Sequence, residues 1–126
     1  MKSRKITIIK NNIRESAKIE YEGGEPTLTL TLSDGIKKSY TDLDLYGSFG
    51  LARIDHKNIK FLCKGAKISV HTSGMSSQMS NGLVAYELIM GQSNPALVYI
   101  FDYEENDLTN DIQEQHEFCM RWADST

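Results

Sequence analysis

Three sets of residues in this chain have the types and spacing that chemistry requires. His71 opens a serine-rich run, HTSGMSSQMSNG (71–82), and an imidazole beside hydroxyls is the raw material of nucleophilic catalysis. The run lacks the Gly-x-Ser-x-Gly elbow that holds a serine out for attack. No carboxylate is spaced to orient the imidazole, so the run reads as a polar loop. His116 and Cys119 lie three apart on an expected helix and could face one ion. Zinc needs three or four ligands, and the remaining soft side chains, His56, Cys63 and His71, show no paired spacing. Cys119 is therefore expected on the buried face of its helix, and Met75 and Met79 are expected to fill gaps in the core. No metal and no cofactor is expected.

The third set is acidic. FDYEENDLTNDIQEQHEF (101–118) carries seven acidic side chains and no lysine or arginine. Residues 1–101 hold 13 basic and 9 acidic residues, whereas 102–126 hold 8 acidic residues and one arginine, within a net charge of −3. A charge run is often a solvated face, or the counterweight to a basic body. A rigid acidic surface can also steer a basic partner and reject wrong ones. Asp102, Tyr103, Glu104, Glu105, Asp107, Asp111 and Glu114 are the candidate partner-binding residues, with Tyr103 as an aromatic anchor. The run Thr72–Asn81 is a second candidate surface, because loops displayed by a rigid scaffold often carry recognition.

Other classes find little support. There is no Gly-x-x-x-x-Gly-Lys phosphate loop. The basic residues are scattered over several elements without aromatic interleaving, and the acidic balance argues against a nucleic-acid partner. No apolar segment approaches membrane-spanning length. MKSRKITIIKNN begins with basic residues, but its apolar run is too short for a signal peptide. Two lone cysteines suit a reducing compartment, and a cytoplasmic location is expected.

These groups need a frame, and 126 residues suit a single domain, 1–126. Strands are expected at 5–10, 16–22, 27–32 and 36–40. The clearest is TLTLTL (27–32), with Leu28, Leu30 and Leu32 on one face and threonines on the other. Asp34-Gly35 turns that strand into a hairpin, where Lys37 and Lys38 discourage edge pairing. Thr41 is the expected cap of a helix over 42–55 whose buried face is Leu43, Tyr46, Phe49 or Gly50, and Ile54. Strands follow at 59–63 and 67–71, then a hairpin formed by 82–91 and 96–101. A last helix, from about Asp111 to Ala123, has Asn110 as cap and Gln113 at its third position. Ile112, Phe118, Cys119 and Trp122 are its expected buried face. The fold class is α+β: a mostly antiparallel sheet with a central helix and a C-terminal helix.

From about Tyr46 to Trp122 the chain resembles bacterial immunity proteins of the contact-dependent growth inhibition type. The segments that carry the resemblance are IKFLCKGAKISVHTSGMSSQMSNGLVAYELIMG (59–91), LVYIFDYE (97–104) and EQHEFCMRW (114–122). The resemblance implies an antitoxin that stays in the cytoplasm, needs no cofactor and blocks the active site of a cognate toxin C-terminal domain. A nuclease is the expected toxin, because a cleft that binds phosphates is basic. The alternative is an intracellular adaptor or small-ligand-binding domain without a toxin partner.

Overall fold

The computed structural model describes all 126 residues. Four strands open the chain: β1 (Lys2–Lys10), β2 (Ile13–Tyr21), β3 (Thr27–Thr31) and β4 (Lys37–Thr41). Helix α1 (Leu45–Asp55) leads to β5 (Ile59–Phe61), a 3₁₀ turn (Lys64–Ala66) and β6 (Val70–His71). Helix α2 (Gly74–Ser80), the hairpin β7 (Val84–Glu87) and β8 (Ala96–Tyr99), and helix α3 (Ile112–Ser125) complete it. The strands form two antiparallel sheets, a five-stranded one ordered β4-β3-β2-β1-β5 and a three-stranded one ordered β6-β7-β8. The α+β class is as the sequence indicated.

The period-two pattern explains the first sheet. Ile6, Ile8, Ala17, Ile19, Tyr21, Leu28, Leu30 and Tyr40 all point to one side and are buried. The opposite face is polar: the hydroxyls of Thr27 and Thr41, and of Thr29 and Ser39, pair at 2.7 Å. Asp34 stabilises its turn by accepting the Ile36 N–H at 3.0 Å, with Gly35 at φ 90°. The β1–β2 turn was not anticipated. Asn11 and Asn12 make it, both left-handed at φ 54° and 61°, which asparagine tolerates better than most residues. The tight turn lets β2 begin at Ile13 rather than at 16, and β1 begins at Lys2 rather than at 5.

Helix α1 starts later than expected. Its cap is Asp44, not Thr41, and Asp44 Oδ1 accepts the Gly47 N–H at 2.8 Å. The buried face is Leu45, Ser48, Phe49, Ala52 and Arg53, while Leu43 is 90% exposed and Ile54 lies at the surface. The missed register traces to Arg53, a charged residue with no solvent exposure. Gly50, offered with Phe49 as a member of the expected buried face, permits a close approach: a Cβ there would lie 2.9 Å from the Ile112 side chain of α3. Phe49 sits at the centre of the core, edge-on to Phe61 (5.6 Å) and Phe101 (5.3 Å).

The run 71–82, expected as a loop, folds into α2. Ser73 accepts the Ser76 N–H at 3.2 Å and Ser76 Oγ accepts the Ser73 N–H at 2.9 Å, a reciprocal cap. The helix ends at Asn81, left-handed at φ 55°. Met75 and Met79 do not fill the core; they are 64% and 81% exposed. The strands expected at 59–63 and 67–71 shrink to β5 and β6, because the 3₁₀ turn and an isolated bridge at Cys63 interrupt them. The hairpin expected from 82–91 and 96–101 forms, through a shorter β7–β8 ladder.

Candidate partner-binding surface

The acidic segment is rigidly held. Residues 102–109 run alongside 62–68: Lys64 N–H donates to Asp102 O (2.8 Å), Glu104 N–H to Leu62 O (3.2 Å), Ile68 N–H to Asp107 O (2.8 Å) and Thr109 N–H to Ala66 O (2.9 Å). The Asn110 side chain does not cap α3 as expected. It donates to the carbonyls of Ile59 (2.7 Å) and His56 (3.2 Å). The cap is Asp111, whose Oδ1 accepts from the Gln113 N–H at 2.9 Å.

On this frame the candidate acids divide in two. Asp102 faces the protein's own Arg4, which donates to it at 3.1 Å. Glu104 is 8% exposed and joins Lys64 (2.9 Å), Lys67 (3.1 Å) and, through both lysines, Glu87 (3.2 and 2.8 Å). Its other oxygen accepts the N–H groups of Glu105 and Asn106, both at 3.0 Å. Burial acts to raise the Glu104 carboxyl, but Lys64, the Asn106 amide and Lys67 outweigh it and hold it down at about 2. Tyr103 is half-exposed, and its hydroxyl accepts from Arg14 (2.8 Å) and donates to Glu105 (3.0 Å). Asp102 and Glu104 thus clamp the acidic segment onto the basic body.

Glu105, Asp107, Asp111 and Glu114 form the second group, joined by Glu117 and Asp124, which were not singled out from the sequence. All are exposed, and none takes part in the ion pairs of the fold. Glu114, Glu117 and Asp124 share an outward stripe of α3, spaced three and seven apart. The one cation there, Arg121, lies over the Phe118 ring (5.8 Å).

The inner side of α3 differs from the expected apolar face, because it is anchored by a polar peg. Gln115 is its one buried residue. Its amide nitrogen donates to the carbonyls of Lys67 (2.8 Å) and Gly65 (3.0 Å), and its oxygen accepts from Arg53 (2.8 Å). Arg53 lies over the Phe49 ring at 5.1 Å, and its Nε has no partner. Burial pushes this guanidinium down to about 10, which leaves it charged at neutral pH.

Of the expected apolar face, Ile112 is 43% exposed, and Phe118, Cys119 and Trp122 are half-buried. Cys119 and Trp122 line a groove of about 440 Å³ with His71, Ser73, Met75, Tyr86, Leu88 and Pro95. Trp122 Nε1 donates to the Gln92 carbonyl at 2.8 Å. The ring of His71, which lines this groove, lies 6.0 Å from that of His116. His71 Nδ1 lies 2.7 Å from the Thr72 carbonyl. The neighbouring serines Ser73, Ser76 and Ser80 spend their hydroxyls on the ends and turns of α2. No group of three or more histidine, cysteine or acidic side chains is arranged to hold a metal ion, and no helix is long and apolar enough to cross a membrane.

No protein-family model matches the chain, and no curated protein matches it.

Proposed function

We propose that this chain is an immunity protein that acts in the cytoplasm by binding a cognate toxin domain, with a basic nuclease domain as the partner. The observation that carries the reading is the outward acidic stripe. Asp102 and Glu104 already neutralise nearby cations of the body, yet the acids from Glu105 to Asp124 stay exposed and outside every ion pair of the fold, on a capped helix and a zipped loop. Fixed charge of one sign accelerates encounter with the opposite sign. The docking residues in this reading are Glu105, Asp107, Asp111, Glu114, Glu117 and Asp124. Asp102 and Glu104 hold the frame, and Tyr103 sits between the two groups.

The test is co-expression with the toxin domain encoded beside its gene, followed by co-purification at low and high salt. Growth rescue and a salt-sensitive complex are expected. Failure of both rescue and complex formation removes the reading.

One feature favours a second reading, an intracellular small-ligand-binding domain. The groove lined by His71, Tyr86 and Trp122 falls in the size range of small-molecule sites. Quenching or shift of the emission of Trp122, the one tryptophan, during a screen of small aromatic and anionic compounds separates this reading from the first.

A further inference from the structure

The three-stranded sheet ends in an uncovered strand. β8 is its outer member, with Leu97 62% and Tyr99 54% exposed. The register identifies the free backbone groups. Ile100 donates to the Leu83 carbonyl (3.0 Å) in line with the β7–β8 ladder. Hydrogen-bonded pairing therefore alternates through Val98–Ala85 and Ala96–Glu87. Leu97 and Tyr99 turn their N–H and C=O groups away from β7. Of these, the Tyr99 carbonyl takes one bond, from the Asp102 N–H (3.2 Å).

The edge of the other sheet is guarded. β4 carries Lys37 and Lys38, and Lys38 pairs with Asp55 at 2.9 Å. No such device protects β8: from Leu88 to Phe101 there is no charged residue, and Ile89 and Met90 add exposed apolar surface. An unguarded, uncharged edge is a template for another strand.

We infer that β8 is a self-association edge, on which two copies of this chain pair antiparallel about a two-fold axis through Val98. Outward-turned groups must meet outward-turned groups, which leaves few registers. The one centred on Val98 sets Leu97 opposite Tyr99 of the second copy, an apolar–aromatic cross-strand pair. Shifting one way sets Tyr99 opposite Pro95, which has no N–H to give. Shifting the other way sets Leu97 opposite Phe101, which is buried at 2% exposure. A second copy suits the edge because the segment is self-complementary in this register and has no like charges to repel. A charged partner finds nothing there to steer it.

The test is sedimentation of the full chain over a range of concentrations. The mass is expected to rise toward twice 14.2 kDa. Leu97→Lys sets a charge beside the two-fold axis without touching the β7 ladder, and is expected to weaken association about tenfold or more, with circular dichroism unchanged. Val98 faces itself as a non-hydrogen-bonded pair, with Cα atoms about 4.5 Å apart, within disulfide range. Val98→Cys in a Cys119→Ser background is therefore expected to give a covalent dimer on oxidation, and addition of Leu97→Lys should suppress it. A chain that stays monomeric and does not cross-link overturns the inference. So does a dimer that Leu97→Lys leaves intact and Val98→Cys fails to trap.

Discussion

The first five strands with α1 and the segment that follows β5 are stabilised in different ways. In the first region apolar side chains alternate along strands and meet on Phe49, so stability comes from area removed from water. In the second, short strands and turns are tied by polar pegs: Gln115 with Arg53, Asn110 with two carbonyls, and Glu104 with two lysines. A buried polar network specifies one arrangement closely, but each member left without its partner is costly. The second region should therefore answer to pH and to single polar substitutions, and the first to lost volume.

Phe49→Ala should have the largest effect, about 3–5 kcal/mol of destabilisation, read by chemical denaturation as one cooperative loss of both regions. Gln115→Ala should cost about 2–3 kcal/mol by leaving Arg53 Nη2 and the carbonyls of Gly65 and Lys67 without this partner. Its signature is local: Trp122 emission should change, and hydrogen exchange should rise in α3 while β1–β4 stay protected. If exchange rises equally in both regions, the contrast between them is wrong.

Acid should act third. Glu104 is held below its ordinary 4.5, at about 2, so its contribution is complete above about pH 4.5 and is lost as pH falls toward 2. That contribution is roughly 3 kcal/mol at most, less whatever solvent screening removes. Glu104→Gln should flatten the acid limb of the stability curve, and an unchanged limb would assign it to other carboxylates. The smallest effect on stability is expected from Glu114→Lys with Glu117→Lys on the outer stripe, a shift of about 2 °C or less in Tm. The same pair should slow association with a basic toxin domain about tenfold or more at low salt, measured by stopped-flow.

The same contrast governs what the sequence revealed. The leucine–threonine alternation and the Asp-Gly turn were legible because their cause is local. So was the β7–β8 hairpin. The buried register of α1 and the inner face of α3 were not, because Arg53 and Gln115 look like surface residues until Gly65, Lys67 and Thr109 supply their partners. Helix α2 was hidden by glycine and serine, although Ser73 and Ser76 at cap spacing were a usable signal. The candidate acids could not be sorted from sequence. The clamp on Asp102 comes from Arg4, 98 residues away, whereas the unpaired stripe on α3 needed only the helical period.

The strand order also bears on how the chain acquires its shape. β1 to β4 form a meander joined by short turns, so their contacts are local and quick to form. β1 is then left as the open edge of the meander until β5 arrives, whose Phe61 pairs with Ile8 only after the whole of α1 has been made. During synthesis the meander can assemble while the rest of the chain is still emerging. The segment that places Asp102 against Arg4 and Glu104 against Lys64 and Lys67 is made only after the strands of both sheets.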